Sequence, residues 1–219
     1  MELTPNDSVA EPIQFRKLES DIPSCCRLRI DVPDFRPDAY LNGLPEKYVN
    51  QHKGDVQRKK WNFTDPNGGD TELLRQWTEV AEFLRDFPGE IDKAHISILE
   101  PGNVLRVHRD GLDVDGGPRP LYEMFNRSLR FHIALRTAPE CYIYADGELV
   151  HMKPGECWMI NNMKYHSAVN GDSTQNRVHL IFDVRPNEKT FRLIRDAQQG
   201  LGTRSVRLFK RYWPDSEML

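Results

Sequence analysis

Two segments constrain the fold of this chain more than any others. In LRFHIALR, residues 129–136, one face of an extended strand carries Leu129, Phe131, Ile133 and Leu135, and the other carries Arg130, His132 and Ala134. In RVHLIFDV, residues 177–184, Val178, Leu180, Phe182 and Val184 alternate with Arg177, His179, Ile181 and Asp183. Strand side chains point alternately to opposite faces, so each segment has one wholly apolar face and one bearing both a guanidinium and an imidazole. A half-solvated sheet also alternates. Solvated faces, however, use Thr, Lys and Glu more often than Arg together with His, and here the pattern comes twice. It recurs at 105–110, where Leu105, Val107 and Arg109 oppose Arg106, His108 and Asp110. The polar faces are therefore expected to line a barrel interior, while the apolar faces pack under helices.

From residue 94 onward AHISILE, VLRVHR, LRFHIALR, CYIYA, ECWMI, HSAV and RVHLIFDV read as short strands. Asn103, Gly116-Gly117, Pro139, Gly147, Pro154-Gly155 and Gly171 separate them. So many short strands predict a mainly β (α+β) chain with a jelly-roll core and flanking N- and C-terminal helices. Upstream, a strand is expected at 27–32, a short helix near 44–51 and a longer helix at 70–87. Asp70 or Thr71 would cap that helix, and Leu73, Leu74, Trp77, Val80, Ala81, Phe83 and Leu84 recur at helical spacing. Downstream, 188–199 reads as a helix and 200–219 as a basic, aromatic tail. The expected organisation is a loosely ordered stretch at 1–20 and one domain at 21–219. Within that domain the β core is 94–186 and a helical extension is 187–219; 219 residues suffice to bury one such core.

The formal net charge of −3 argues against a protein built to coat nucleic acid. No apolar run approaches the roughly 20 residues of a membrane-spanning helix. The first residues, MELTPNDSVAEPIQF, lack the basic flank and apolar stretch of a signal peptide, so a cytoplasmic location is expected. None of the four cysteines, Cys25, Cys26, Cys141 and Cys157, lies in a C-x-x-C pair, and free buried thiols are the expectation. Oligomeric state has no signature in the sequence.

His108 and Asp110 share a strand face two residues apart, close enough to reach one metal ion. By itself H-x-D is a chance-prone motif. The third ligand has three candidates: His132 and His179 lie inside strands, and His166 lies where the turn 161–165 enters a strand, a suitable rim position. Two imidazoles and one carboxylate on one side of iron(II) leave three positions for a cosubstrate and oxygen. Arg177 follows His166 by eleven residues, on what should be the next strand. A guanidinium there offers the rigid fork that the distal carboxylate of 2-oxoglutarate requires.

The segments HRD, LRFHIAL, HMKPGECWMINN, YHSAVN and NRVHLIFDV occur in that order between residues 108 and 184. This run resembles the aspartyl/asparaginyl β-hydroxylase family of cupin-type oxygenases, and is most similar to the bacterial branch that includes the L-proline cis-4-hydroxylases. The resemblance implies a double-stranded β-helix with Fe(II), and with 2-oxoglutarate and O2 as cosubstrates. It implies that His108, Asp110 and His166 bind the iron and that Arg177 pairs with the distal carboxylate. It places Arg130 and His132 near the metal-bound end of the cosubstrate, with Trp158 and Asn170 supporting the site. The animal aspartyl hydroxylases have glycine where this chain has Asp110. Retention of the carboxylate favours hydroxylation over halogenation and weakens the case for a peptidyl aspartate substrate.

The expected reaction is hydroxylation of an unactivated C–H bond of an amino acid, or of an amino-acid-derived or peptidyl substrate, with release of succinate and CO2. No nucleophile among Ser128, Ser167 or the cysteines is needed. On the substrate side the candidates are Arg106, Arg109, Arg119, Tyr122, Phe125 and Asn126, the last four in a loop at 111–127 that could close as a lid. The run 60–64 is a further candidate wall, although core packing explains it too. His151 is expected to be structural, and His179 is either structural or an outer support of the site. Two rival readings are a non-catalytic cupin that senses a metal or small acid, and a zinc enzyme on the same barrel. Neither explains an arginine placed after an intact His-Asp-His set.

Overall fold

The computed structural model describes residues 22–41, 58–65, 69–111 and 127–216. The described residues contain the strands β1 (Cys25–Arg27), β2 (Arg58–Asn62), β3 (Glu90–Leu99), β4 (Leu129–Arg136), β5 (Cys141–Ala145), β6 (Glu148–Val150), β7 (Cys157–Ile160), β8 (His166–Asn170) and β9 (Arg177–Arg185). The helices are α1 (Pro37–Leu41), α2 (Glu72–Gln76), α3 (Thr78–Asp86), α4 (Glu188–Arg195) and α5 (Val206–Tyr212). A six-stranded sheet in the order β1-β7-β4-β9-β3-β2 faces a three-stranded sheet in the order β6-β5-β8. Every named strand pair is antiparallel. This is the jelly-roll arrangement that the strand pattern predicts.

The strand faces divide as expected. Phe131 and Phe182 stack with ring centroids 5.5 Å apart, and Phe87 meets each of them at 4.9 Å. With Leu129, Ile133, Val178, Leu180 and Val184 they join Val80 and Leu84 of α3 in one apolar cluster outside the larger sheet. The opposite face is buried as well, between the two sheets. Arg177, His179 and Asp183 there are 3%, 1% and 1% exposed. Leu99, Ala134, Trp158, Ile160, Ile143, Ala145 and Ala168 complete that interior. A third cluster, of Tyr144, Leu149, Val169, Phe209 and Trp213, lies between the smaller sheet and α5.

Local departures from the sequence reading have identifiable causes. The expected helix at 70–87 is two helices, because Trp77 leaves helical geometry (φ −99°, ψ 65°). Its indole is buried against Phe63, 5.2 Å away, and both helices keep their apolar sides on the same core, so periodicity does not register the break. Thr71 is the cap, its hydroxyl accepting from the Leu74 N–H at 3.4 Å. β3 begins at Glu90 rather than at 94, since a register shift between Ile91 and Lys93 disrupts the alternation that would have marked its start. Gly89 (φ +113°) leads into it, where a Cβ would overlap Val184 and lie 2.8 Å from the Arg185 carbonyl oxygen.

β1 covers 25–27 and not 27–32, and the tail contains α5. β2 escaped sequence reading because an edge strand with consecutive lysines has no apolar alternation. Residues 60–64 are core: Trp61 and Phe63 belong to the cluster outside the larger sheet. β6 follows a two-residue turn in which Asp146 (φ 47°) and Gly147 (φ 97°) both have positive φ, the geometry of a tight hairpin. The helix expected near 44–51 lies outside the described residues. All four cysteines are buried free thiols, and His151 contacts the Cys141 carbonyl at 3.0 Å. Among the described residues no helix is long and apolar enough to cross a membrane.

Candidate metal centre

The segment 103–110 is not a regular strand, yet it pairs with β8 and extends the smaller sheet. Isolated bridges join Val104 to Val169 and His108 to His166. Four residues advance on one side while three advance on the other, so this segment contains a bulge. Leu105 packs with the interior cluster and Val107 with the outer one, so strict alternation fails between them and resumes with His108 turned inward. The simple parity expected for 105–110 is corrected in that respect. A bulge re-aims side chains at the cost of ladder pairing.

His108 and His166 exchange both backbone hydrogen bonds, at 3.0 and 2.9 Å, and the Asp110 N–H donates to the Asn162 carbonyl at 2.9 Å. These bonds hold His108, Asp110 and His166, the three candidate ligands, in one cluster whose potential donor atoms lie within 4.8 Å of one another. The imidazole centroids are 4.4 Å apart. Each histidine sets its Nδ1 against a backbone carbonyl, Arg106 for His108 (2.9 Å) and Lys164 for His166 (3.0 Å). A proton held on Nδ1 by such a bond leaves the Nε2 lone pair for a metal. Asp110 Oδ1 lies 3.6 Å from Nε2 of His108 and 3.9 Å from that of His166.

The second oxygen of Asp110 is held elsewhere. Arg130 forms an ion pair with Oδ2, and the Asn162 amide donates to it at 3.3 Å. Arg130 in turn forks onto Asp183, from Nε at 2.7 Å and Nη2 at 2.9 Å. Burial opposes ionisation of Asp110, but Arg130, then His166 and His108, outweigh it and keep the carboxyl well below the usual carboxylate range. Burial, with His108 adding to it, pushes His166 down to about 3, so its imidazole is neutral. A neutral imidazole and an ionised carboxylate are the ligand forms a divalent cation needs. The donor set of two nitrogens and one oxygen, grouped on one side, fits iron(II).

Further along β9 is a second buried polar group. Arg177 donates from Nη2 to Nδ1 of His179 at 3.1 Å, which places the imidazole proton on Nε2. Burial, then Arg177, lowers the His179 pKa well below its ordinary value. Its Nε2 is buried and has no hydrogen-bond partner among the described residues. His132 stands edge-on to His179, 5.7 Å away. Asn170 ties the end of β8 to its surroundings by donating to the carbonyls of Leu99 (2.9 Å) and Gln175 (2.8 Å), and the Trp158 indole donates to Glu156 at 2.9 Å.

The structure thus gathers His108, Asp110, His166 and Arg130, and separately Arg177, His179 and His132. Arg109 does not join the ligand cluster: its guanidinium stacks over the Tyr165 ring, 4.6 Å from the centroid. Arg119, Tyr122, Phe125 and Asn126 lie outside the described residues. Asp183 and Asn162 were not singled out from sequence. Asp183 had a signal, since it shares the inward parity of Arg177 and His179. Asn162 had none, because its contact with Asp110 depends on the turn after β7.

The profile of the aspartyl/asparaginyl β-hydroxylase family matches residues 42–186. No curated protein sequence matches the chain. Among solved structures, a prolyl-4-hydroxylase from Pseudomonas putida aligns with a TM-score of 0.51 at 14% identity, covering 79% of this chain and 97% of the other. HygX from Streptomyces hygroscopicus, with nickel and 2-oxoglutarate bound, aligns at 0.48 and 12% identity, covering 82% and 89%. A viral collagen prolyl hydroxylase from Paramecium bursaria chlorella virus-1, in complex with 2-oxoglutarate, aligns at 0.47 and 14% identity, covering 75% and 97%. At 14% identity the likeness to the Pseudomonas putida structure is one of fold alone. With the family profile spanning most of the chain, the protein belongs to the aspartyl/asparaginyl β-hydroxylase family, the iron(II)- and 2-oxoglutarate-dependent hydroxylases.

Proposed function

We propose that the chain hydroxylates an unactivated C–H bond of an amino acid, or of an amino-acid-derived or peptidyl substrate, with His108, Asp110 and His166 as its metal ligands. The observation that carries this reading is the ligand cluster itself: two Nε2 atoms freed by backbone bonds on Nδ1, with one carboxylate oxygen turned toward them. When bound, iron(II) with 2-oxoglutarate and O2 supplies the oxidising equivalent, and succinate and CO2 leave as coproducts. The protein's own share is orientation and exclusion of water. Arg130 and Asn162 hold Asp110 Oδ2, so that Oδ1 is the oxygen presented to the ion.

Arg177 is assigned to the distal carboxylate of the cosubstrate, with its guanidinium steadied by His179. The Nε2–H of His179, which has no acceptor among the described residues, would gain one in the bound acid, which supports placing the cosubstrate against this side of the interior. His132 lies beside it and is assigned to the same cosubstrate. Retention of Asp110 favours an amino-acid-like substrate of the kind handled by the proline-hydroxylase branch. The proposal keeps Arg119, Tyr122, Phe125 and Asn126 as substrate-side residues. If replacing Tyr122 and Phe125 leaves substrate KM and coupling unaltered, that assignment is abandoned.

The test has two stages. Anaerobic addition of iron(II) and 2-oxoglutarate should produce the visible charge-transfer band of their chelate, absent from His108→Ala. A panel of free, N-acylated, carrier-linked and peptidyl amino acids should then yield substrate-dependent succinate and a hydroxylated product by mass. Ligand binding that survives His108→Ala, with neither band nor succinate, would instead establish a non-catalytic sensor.

A further inference from the structure

The bulge that aims His108 needs explanation, because a bulge leaves backbone groups outside the ladder. In 103–110 the Leu105 N–H still donates to the Ala168 carbonyl at 2.8 Å. The Leu105 carbonyl is taken up by side chains: the Ser167 hydroxyl donates to it at 2.5 Å and the Trp213 indole N–H at 2.7 Å. Ser167 adjoins the ligand His166, whereas Trp213 comes from beyond α5, outside the residues 42–186 matched by the family profile.

Trp213 is held firmly enough to act at a distance. Its ring is buried and stacks on Phe209 at 5.2 Å and 28°, and Tyr144 of β5 meets both rings, at 4.7 Å from Phe209 and 6.0 Å from Trp213. The Ser205 hydroxyl caps α5 by accepting from the Leu208 N–H at 3.2 Å. Thr203 exchanges backbone hydrogen bonds with Leu149 of β6 at 3.0 and 2.8 Å, fixing the tail to the smaller sheet before α5 begins. The indole N–H is therefore presented to the Leu105 carbonyl from a rigid support.

We propose that the C-terminal helix is a working part of the metal site: Trp213 is a positioning residue that pins the 104–107 bulge and so sets the aim of His108. The inference rests on the metal-ligand reading above and adds to it a residue that touches no ligand. Pinning acts through the backbone: two residues, Arg106 and Val107, separate Leu105 from His108, and the freedom between the two anchors lies in the bulge itself. Loss of the indole donor leaves Ser167 as the remaining side-chain donor to that carbonyl, loosens the bulge and widens the range of positions open to the His108 imidazole.

The test uses full-length protein and cobalt(II), whose visible d–d bands report ligand geometry. Trp213→Phe keeps an aromatic ring and removes the N–H. It should weaken cobalt(II) binding about tenfold, in the range typical of supports behind metal ligands, and alter the d–d envelope. Phe63→Leu, in the core on the far side of the larger sheet, should lower Tm while leaving cobalt(II) affinity within about twofold. Because Ser167 and Trp213 share one acceptor, Trp213→Phe combined with Ser167→Ala should lose more affinity than the product of the two single losses. Trp213→Phe binding cobalt(II) as the parent does, or an effect matched by Phe63→Leu at equal loss of Tm, overturns the brace. A double variant showing only the product of the single losses also overturns it. His166→Ala separates the two ideas. If it abolishes binding while Trp213→Phe does nothing, only the brace falls; if it changes nothing, the ligand assignment falls and the brace with it.

Discussion

Replacing Asp183 with asparagine removes a carboxylate that, with Asp110, holds Arg130 inside the barrel. The native pair is a fork, 2.7 and 2.9 Å on its two arms, with side chains 13% and 2% exposed. Breaking a buried pair by neutralising one partner costs about 3–5 kcal/mol, because the other charge stays behind. Arg130 keeps Asp110 as a partner, so the lower end is expected, about 3 kcal/mol in metal-free protein at neutral pH. The second consequence is local to the site. With Asp183 neutral, the guanidinium draws more strongly on Asp110, the same carboxylate the cation needs, so metal affinity should fall about 10- to 100-fold. Urea unfolding measures the first effect, and metal titration the second. The double variant Arg130→Met/Asp183→Leu provides the control, since replacing a buried pair with apolar groups often restores stability. It should recover much of the lost stability without recovering metal affinity. The reasoning fails if Asp183→Asn unfolds within about 0.5 kcal/mol of the parent, below the cost of even one lost buried hydrogen bond.

Other perturbations probe separate parts of the molecule. Arg177→Lys forfeits the planar fork and should raise the 2-oxoglutarate KM about 10- to 100-fold with little change in Tm; an unchanged KM removes Arg177 from the cosubstrate site. His179→Asn keeps an acceptor near Arg177 whereas His179→Leu does not, so calorimetric binding of 2-oxoglutarate should weaken more for leucine. Phe182→Ala opens a cavity among Phe131, Phe87 and Phe83 and should cost about 3–5 kcal/mol by chemical denaturation. Burial pushes the Cys25 and Cys26 thiols up to about 12, with Glu148 adding to the first and Cys25 to the second. The folded chain then keeps protons that the unfolded chain releases above its ordinary thiol pKa. The stability attached to these thiols is full below about pH 8.5 and declines toward pH 12, by about 1.4 kcal/mol per pH unit for each thiol. A Cys25→Ala/Cys26→Ala variant should show a shallower decline above pH 9, and an identical profile would contradict the assignment.

Local alternation in the chain determined much of this fold. Leu129, Phe131 and Ile133 against Arg130 and His132, and the matching run in β9, already pointed to two faces of opposite character, the polar one expected inside a barrel. H-x-D, a histidine entering a strand and an arginine on the next one pointed to the three residues that the structure brings into one cluster, because two-residue spacing along a strand places side chains on a common face. The helical character of 72–76 and 78–86, though not the break between them, and the thiols' burial were legible for similar reasons. Each of these is a property of a short window, in which burial of one side is written directly into residue type.

Tertiary structure alone decided what depends on pairing between distant windows. The break at Trp77 follows from the position of Phe63, and β2 exists because β3 offers it an edge. Asp183 carries the right parity, but its meeting with Arg130 and through it with Asp110 comes from the β4–β9 register. The bulge before His108 is the clearest instance: sequence parity placed Leu105 and Val107 on one face, and the extra residue between two bridges put them on opposite sides. Trp213 had no local signal, since its role is set by a carbonyl far upstream in the chain. Periodicity records which side of an element is dry; register, bulges and the partners of a lone donor are fixed only when the elements close on one another, and the aim of the metal ligands depends on all three.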